Sequence, residues 1–236
     1  MKRKKIQIIS LKLLLLCCFS NYHTYSQDVN NLLKNVRAKL DKVNDYVAEG
    51  NMKTDVVFIK APVTTVKILY KKPNKFKLKR GDGISLLPKG GITLNMSSLL
   101  GNDSYTSISS GETRIGNTKV TVVKLLPNND AGDVVLTILY IDPVNYLILK
   151  ATSTTKDNGT YQTKMTYGKY ASYGLPDKMI FEFNAKDFKL PKGLTMEFDT
   201  GEKKPSNDKA KMKKGSIEIL YSSYQINKGL SDADFK

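Results

Sequence analysis

Turn signals recur roughly every ten to twenty residues from Tyr46 to the C-terminus, and this rhythm confines the chain to one broad class of fold. "GDG", "PKGG", "GND", "IGN", "PNNDAGD", "DPVN", "KDNG", "YGLPDK" and "LPKG" punctuate the sequence in turn. The stretches between them alternate with period two, as strands with one packed face do. In "YQTKMTY", Tyr161, Thr163, Met165 and Tyr167 share a side against Gln162, Lys164 and Thr166. "MIFEF" sets Met179, Phe181 and Phe183 against Glu182, "TMEFD" sets Met196 and Phe198 against Glu197, and "SIEILY" groups Ile217, Ile219 and Tyr221. The pattern predicts an antiparallel meander with one large, apolar face.

Ahead of the meander the period changes. In "DVNNLLKNVRAKLDKV", Val29, Leu32, Leu33, Val36, Leu40 and Val43 fall on one stripe of an amphipathic helix, with Asp28 placed to cap its start. Further upstream, "MKRKK" followed by "LLLLCCF" reads as a secretory signal peptide, and Thr24–Tyr25–Ser26 supplies the small residues a signal peptidase accepts. Cleavage is expected between Ser26 and Gln27, giving a leader over 1–26 and one domain over 27–236. A membrane anchor is disfavoured by the shortness of the apolar stretch, and lipidation at Cys17 or Cys18 by the absence of a small residue before either.

Loss of the leader restricts the chemistry. Both cysteines and the single histidine, His23, leave with it. The expected mature chain has no disulfide, thiol nucleophile, imidazole base or His/Cys metal site, and no cofactor motif is present. The acidic residues Glu49, Glu112, Glu182, Asp187, Glu197 and Asp199 are scattered, and no G-x-S-x-G or phosphate-cradling loop occurs, so an enzyme is not expected. The mature chain keeps 33 basic against 22 acidic residues, a net of +11, which for an exported protein suits anionic headgroups, polymers or acidic partners.

Much of that charge is concentrated in "YKKPNKFKLKRG". Strand parity separates it into two faces. Val66, Ile68, Tyr70 and Lys72 share the inner side of one strand, and Phe76, Leu78 and Arg80 that of the next. Lys67, Lys71, Lys75, Lys77 and Lys79 point outward. Aromatic and basic residues thus face apart, which argues against nucleic acid, where stacking and phosphate contacts share a surface. Lys72 is singled out because it ends an apolar stripe, although a lysine there ordinarily snorkels to solvent. Two segments stand outside the meander: "TLNMSSLLG" (93–101) is expected to form a short helix, and "GEKKPSNDKAKMKKG" (201–215) a solvated loop.

The succession of segments resembles the LolA-like periplasmic lipoprotein carriers and the wider lipoprotein-sorting group. A helix with "RAKLDKVNDY" leads into strands joined through "KILYKKPNKFKL". "VTVVKLLP", "LTILYIDPVNYLILKATSTTKDNGTYQTKMTYGKY" and "LPDKMIFEFNAKDFKLPKGL" follow in the family's order, and "GSIEILYSSYQINKGLSDADF" extends beyond the carrier's usual end. The resemblance implies a mainly β fold with few helices: a curved, antiparallel, incomplete β-barrel with an N-terminal amphipathic helix and a short helical lid. Acyl chains would occupy the cavity between sheet and helices.

The cavity and lid positions are then expected at Leu33, Val36 and Leu40 of the helix, Ile68, Tyr70, Lys72, Phe76 and Leu78 of the first hairpin, Met96 of the lid, and Met165, Tyr167, Phe181 and Phe183 of later strands. Taken singly, each apolar residue of this set equally fits a closed core. Lys72 stands where the family carries an arginine implicated in lid closure. It keeps the charge but not the planar, multi-donor guanidinium. The implied function is carriage of acylated lipoproteins, or other lipids, between an inner-membrane exporter and an outer-membrane acceptor by a periplasmic monomer. A non-transporting lipid binder or envelope-stress sensor on the same fold is the alternative.

Overall fold

The computed structural model describes residues 24–56, 59–60, 62–81, 100, 105–128, 132–157, 159–184 and 214–235. Helix α1 (Thr24–Leu40) precedes β1 (Asp45–Val56), the two-residue β2 (Ile59–Lys60), β3 (Thr64–Lys71) and β4 (Lys75–Arg80). There follow β5 (Tyr105–Ile115), β6 (Thr118–Pro127), β7 (Val134–Asp142), β8 (Leu147–Thr155), β9 (Thr160–Thr166), β10 (Lys178–Asn184) and β11 (Lys214–Ile226). Short 3-10 turns occur at Ala171–Tyr173 and Asp232–Phe235.

All strand pairings are antiparallel. The path runs β4-β3-β1-β11-β10-β9-β8-β7-β6-β5, with β2 beside β1. β5 to β10 form a simple meander, and β11 crosses to pair with β1, joining the first hairpin to the rest. β4 and β5 stand at opposite ends of the path, leaving a curved open sheet. This is the incomplete barrel expected from the sequence.

Side-chain alternation accounts for the sheet's polarity. In β10, Met179, Phe181 and Phe183 are buried while their neighbours are half-exposed, and β9 behaves likewise at Tyr161, Thr163 and Met165. Register aligns these residues across strands: Met179 lies between Met165 and Ile219, and Phe181 between Thr163 and Ile217. Two glycines allow close approach. Gly50 sits at a bulge between β1 and β11, where a β-carbon would run into the Leu220 carbonyl. At Gly215 a β-carbon would come 2.6 Å from the Phe183 ring.

The amphipathic stripe of α1 lies on the apolar inner face: Val29, Leu32, Leu33, Val36 and Leu40 join the same core as the strands. Arg37 and Lys39 in the last turn complement the helix dipole. The helix boundaries differ from those read in the sequence. It begins at Thr24, so Asp28 is an internal, exposed residue and not the cap. It ends at Leu40, and Val43 packs into the core from the connecting turn instead. β3 stops at Lys71, putting Lys72 in the turn before β4, and Lys214 and Gly215 belong to β11 and not to the expected loop. Of the expected lid helix only Leu100 is described, in a turn and buried. Met96, Met196 and Phe198 lie outside the described residues.

Candidate functional site

The inner face is one continuous apolar surface with α1 laid against it. Leu33, Val36, Leu40, Ile68, Tyr70, Met165, Phe181 and Phe183 all belong to a single buried cluster, each no more than 7% exposed. Phe76, Leu78 and Tyr167 pack against it from half-buried positions. The structure thus gathers residues up to 150 positions apart in sequence, Leu33 to Phe183, into one assembly. Phe181 is its aromatic centre, with ring centroids 5.0 Å from Tyr161 and 5.5 Å from Phe183.

Tyrosines line the other flank. Tyr46 lies 5.2 Å from Tyr70 and 5.4 Å from Tyr224, and Tyr224 a further 4.9 Å from Tyr170. Two buried hydroxyls here are satisfied by backbone: Tyr224 donates to the Pro176 carbonyl and Tyr167 to that of Ile148, both at 2.8 Å. Burial pushes the hydroxyls of Tyr46, Tyr167, Tyr221 and Tyr224 above the ordinary phenol range, so they stay neutral donors. An apolar body with a tethered polar tip suits a lipid-facing wall as well as it suits a core.

What holds α1 in place is of two kinds. Apolar contact is strong and nondirectional, whereas the polar contacts are peripheral. The Lys72 ammonium donates to the Asp41 carbonyl at 2.8 Å and its carboxylate at 3.1 Å, clamping the end of α1 to the β3–β4 turn. Ser107 donates to Asn30 at 2.8 Å, Arg37 donates to the Tyr105 hydroxyl at 3.4 Å, and Lys39 donates to the Asn145 carbonyl. Among these Lys72, Lys39 and Ser107 make solvent-exposed bonds. Exposed charge pairs of this kind contribute about 0–1 kcal/mol each.

Beneath the C-terminal half of α1, Val36, Leu40, Leu147, Ile148 and Tyr167 close together without room for a water. Gly174, at φ 68°, passes so near that a β-carbon would meet Leu40 at 2.8 Å. At the other end of the helix a cavity of about 650 Å³ opens between α1, the β5–β6 hairpin and the β7–β8 turn. Polar side chains of Asp28, Asn31, Asn35, Ser109, Glu112 and Thr121 line it together with Val29, Leu32 and Tyr146. The sequence reading missed this cavity, and only the positions of Asn31 and Asn35 beside the apolar stripe hinted at it. Among the described residues no three His, Cys, Asp or Glu side chains converge as a metal site.

No protein-family model and no curated protein matches the sequence. Solved structures do match. A candidate outer membrane lipoprotein-sorting protein domain from Vibrio parahaemolyticus superposes with a TM-score of 0.58 at 12% identity, covering 87% of this chain and 95% of that one. A LolA superfamily protein from Nitrosomonas europaea gives 0.55 at 11% identity, covering 86% and 97%. A DUF1329 family protein from Desulfovibrio piger gives 0.52 at 13%, covering 87% and 95%. At these identities the likeness concerns the fold, which is LolA-like over almost its whole extent.

Proposed function

We propose that the chain is exported to the periplasm and carries acyl chains between its curved sheet and α1, delivering acylated lipoproteins from the inner to the outer membrane. The observation that carries this reading is the apolar stripe of α1 lying on the apolar inner face of an open sheet, secured at its margins by exposed polar contacts. The LolA-like fold supports it. Export by a leader over 1–26, action as a monomer without cofactor or nucleic acid, and hand-over from an inner-membrane exporter to an outer-membrane acceptor belong to the same proposal.

The magnitudes are compatible with exchange. Removing five apolar side chains of α1 from the core re-exposes surface worth about 1.5–3 kcal/mol each, roughly 8–15 kcal/mol in all. Acyl tails entering in their place return about 0.8 kcal/mol per methylene, so ten to twenty methylenes offset that cost. A guest with two or three tails reaches this range and a single short fatty acid does not. Near-balance of the two terms lets cargo be released again.

Native mass spectrometry of the protein taken from its own cell envelope tests the proposal. An intact acylated polypeptide bound to the chain is the expected result, and repeated recovery of protein free of any acylated guest would count decisively against it. A free lipid as the sole guest would establish the non-transporting binder. That second reading is favoured by Lys72, whose single ammonium is committed to Asp41 where the resemblance implies an arginine able to hold several acceptors.

A further inference from the structure

Beyond β11 the chain folds back across the outward face of the first hairpin. Asn227 and Gly229, with φ of 56° and 76°, turn it toward the start of β1. The buried Asp45 carboxylate accepts the backbone N–H groups of Lys228 at 2.8 Å and Gly229 at 3.1 Å, and the Asp45 carbonyl accepts that of Asn227 at 2.8 Å. The Asn227 side chain accepts from the Asn44 N–H at 2.7 Å and donates to the Lys42 carbonyl at 2.9 Å. The root of this tail is therefore anchored by five hydrogen bonds to one short stretch of chain.

The tip is held differently. Asp232, largely exposed, accepts from Lys71 at 3.0 Å through one carboxylate oxygen and from Lys75 through the other. Asp234 is oriented by Ser231, whose N–H and hydroxyl donate to it at 2.7 and 2.9 Å, and it lies within the field of Lys79 and Lys71. The surface underneath is unusual for a sheet. Register places Lys71 opposite Lys75 and Lys67 opposite Lys79, with Lys77 opposite Leu69. Like charges directly across a strand pair are destabilising. Leu69, on the outward parity of β3 and outside the main core, is nonetheless only 4% exposed.

We propose that this lysine-rich outer face of β3 and β4 is a docking surface for an acidic polypeptide segment bearing paired aspartates and an aromatic residue, and that Ser231–Phe235 is its resting occupant. The tail displays the recognition chemistry directly: one carboxylate bridging Lys71 and Lys75, a second two residues later fixed by Ser231 within the field of Lys79, and Phe235 half-buried beside it in sequence. The occupant seen is a peptide in a tight turn, which favours a polypeptide partner over a planar anionic bilayer. Exposed pairs such as these are weak, so the tip can be exchanged while the root stays fixed. Tethering supplies the tail at an effective concentration on the order of millimolar, so an outside segment must outbid it or arrive already concentrated. This face is distinct from the inner one and does not depend on the nature of the cargo.

The test uses the full chain and a fluorescent peptide, GGSDADFG, with its GGSNANFG counterpart as control. Wild type and an Asp232→Asn/Asp234→Asn variant are titrated by anisotropy at low salt. The variant, whose tail no longer competes, is expected to bind the aspartate peptide on the order of tenfold more tightly than wild type, as for a face otherwise open about one time in ten. Binding should vanish for the asparagine peptide and when Lys71→Glu/Lys75→Glu is added. Lys71→Gln/Lys75→Gln serves the same purpose should the charge reversal impair folding. Equal binding by wild type and the tail variant, or binding indifferent to the two lysines, would overturn the proposal. So would binding of the tail variant to phosphatidylglycerol vesicles without binding of the peptide, which would identify a membrane-facing patch.

Discussion

Phe181→Ala distinguishes a filled interior from one that merely borders a vacancy. Phe181 is 1% exposed on a strand flanked by β9 and β11, and its ring touches those of Tyr161 and Phe183. Truncating a fully packed phenylalanine costs about 3–5 kcal/mol, through lost transfer energy and the cavity left behind. Aromatic contacts account for about 0.5–1.5 kcal/mol each within that figure. With Tyr161, Met165, Met179, Phe183, Ile217 and Ile219 of the cluster fixed by register on the same face, collapse into the gap should be limited, and about 4 kcal/mol is expected. For a chain of this size that corresponds to a fall of roughly 8–16 °C in Tm.

The assay is equilibrium urea unfolding of delipidated protein followed by far-ultraviolet circular dichroism, with Phe76→Ala as a half-buried comparison expected to cost about 1–2 kcal/mol. The slope should be unchanged and the midpoint lowered, marking a loss of native stability and not a change in the denatured state. A cost below about 1 kcal/mol for Phe181→Ala would refute the packing argument. It would mean that the ring faces open space in the unliganded protein, and the cavity reading would then need no movement of α1.

Other perturbations bear on separate links. Gly50→Ala should destabilise by about 1–3 kcal/mol or prevent folding, because the new methyl meets the Leu220 backbone at a bulge between central strands and not a flexible side chain; a melting temperature equal to wild type would contradict the register there. Burial opposes the charge on Asp142, but hydrogen bonds from the Asn145 side chain and the Asn145 and Val144 N–H groups outweigh it and hold its pKa below the ordinary carboxylate value. Its contribution is therefore complete above about pH 4 and fades as pH falls through the lower folded value. Asp142→Asn should flatten the acid limb of a stability-versus-pH curve, and parallel curves would exclude this. Lys72→Leu removes the two contacts to Asp41 and should cost less than about 1 kcal/mol. It should speed amide hydrogen exchange in the last turn of α1 and alter cargo transfer; unchanged exchange and transfer would deny Lys72 a part in holding the helix.

How far these features could be read from the sequence depended on the range of the interactions involved. Period two in "YQTKMTY" and "MIFEF" gave the inner face correctly, because side-chain direction in a strand follows from parity alone. The i, i+3, i+4 stripe likewise placed Leu33, Val36 and Leu40 in the core. What covers a face is decided elsewhere in the chain. Lys71 shares the outward parity of β3 with Lys67 and Leu69, and nothing near it in sequence tells of Asp232, 161 positions later, which accepts its hydrogen bond. Asp45 carries no signal of its role in the sequence, yet its carboxylate organises Lys228 and Gly229 from 183 and 184 positions away. The bulge at Gly50 depends on the register with β11, which neither strand encodes by itself.

The division of labour around α1 gives these observations their functional sense. A cover held chiefly by directional, buried polar bonds would leave unsatisfied groups whenever it moved, at about 1–3 kcal/mol each. Here the buried contact is chiefly apolar, of the kind that the proposed acyl guest would restore, while bonds such as Lys72 to Asp41 and Ser107 to Asn30 sit where water can satisfy their ends. The partly buried exception, Arg37 donating to Tyr105, is long at 3.4 Å and is supplemented by the guanidinium lying 5.9 Å from the ring centroid. Opening therefore costs mostly hydrophobic burial, the one term that an acyl guest can restore in kind. If the face carries acyl chains as proposed, a head-group ligand without tails offers no such exchange, and tail length and number, more than head-group identity, should decide binding.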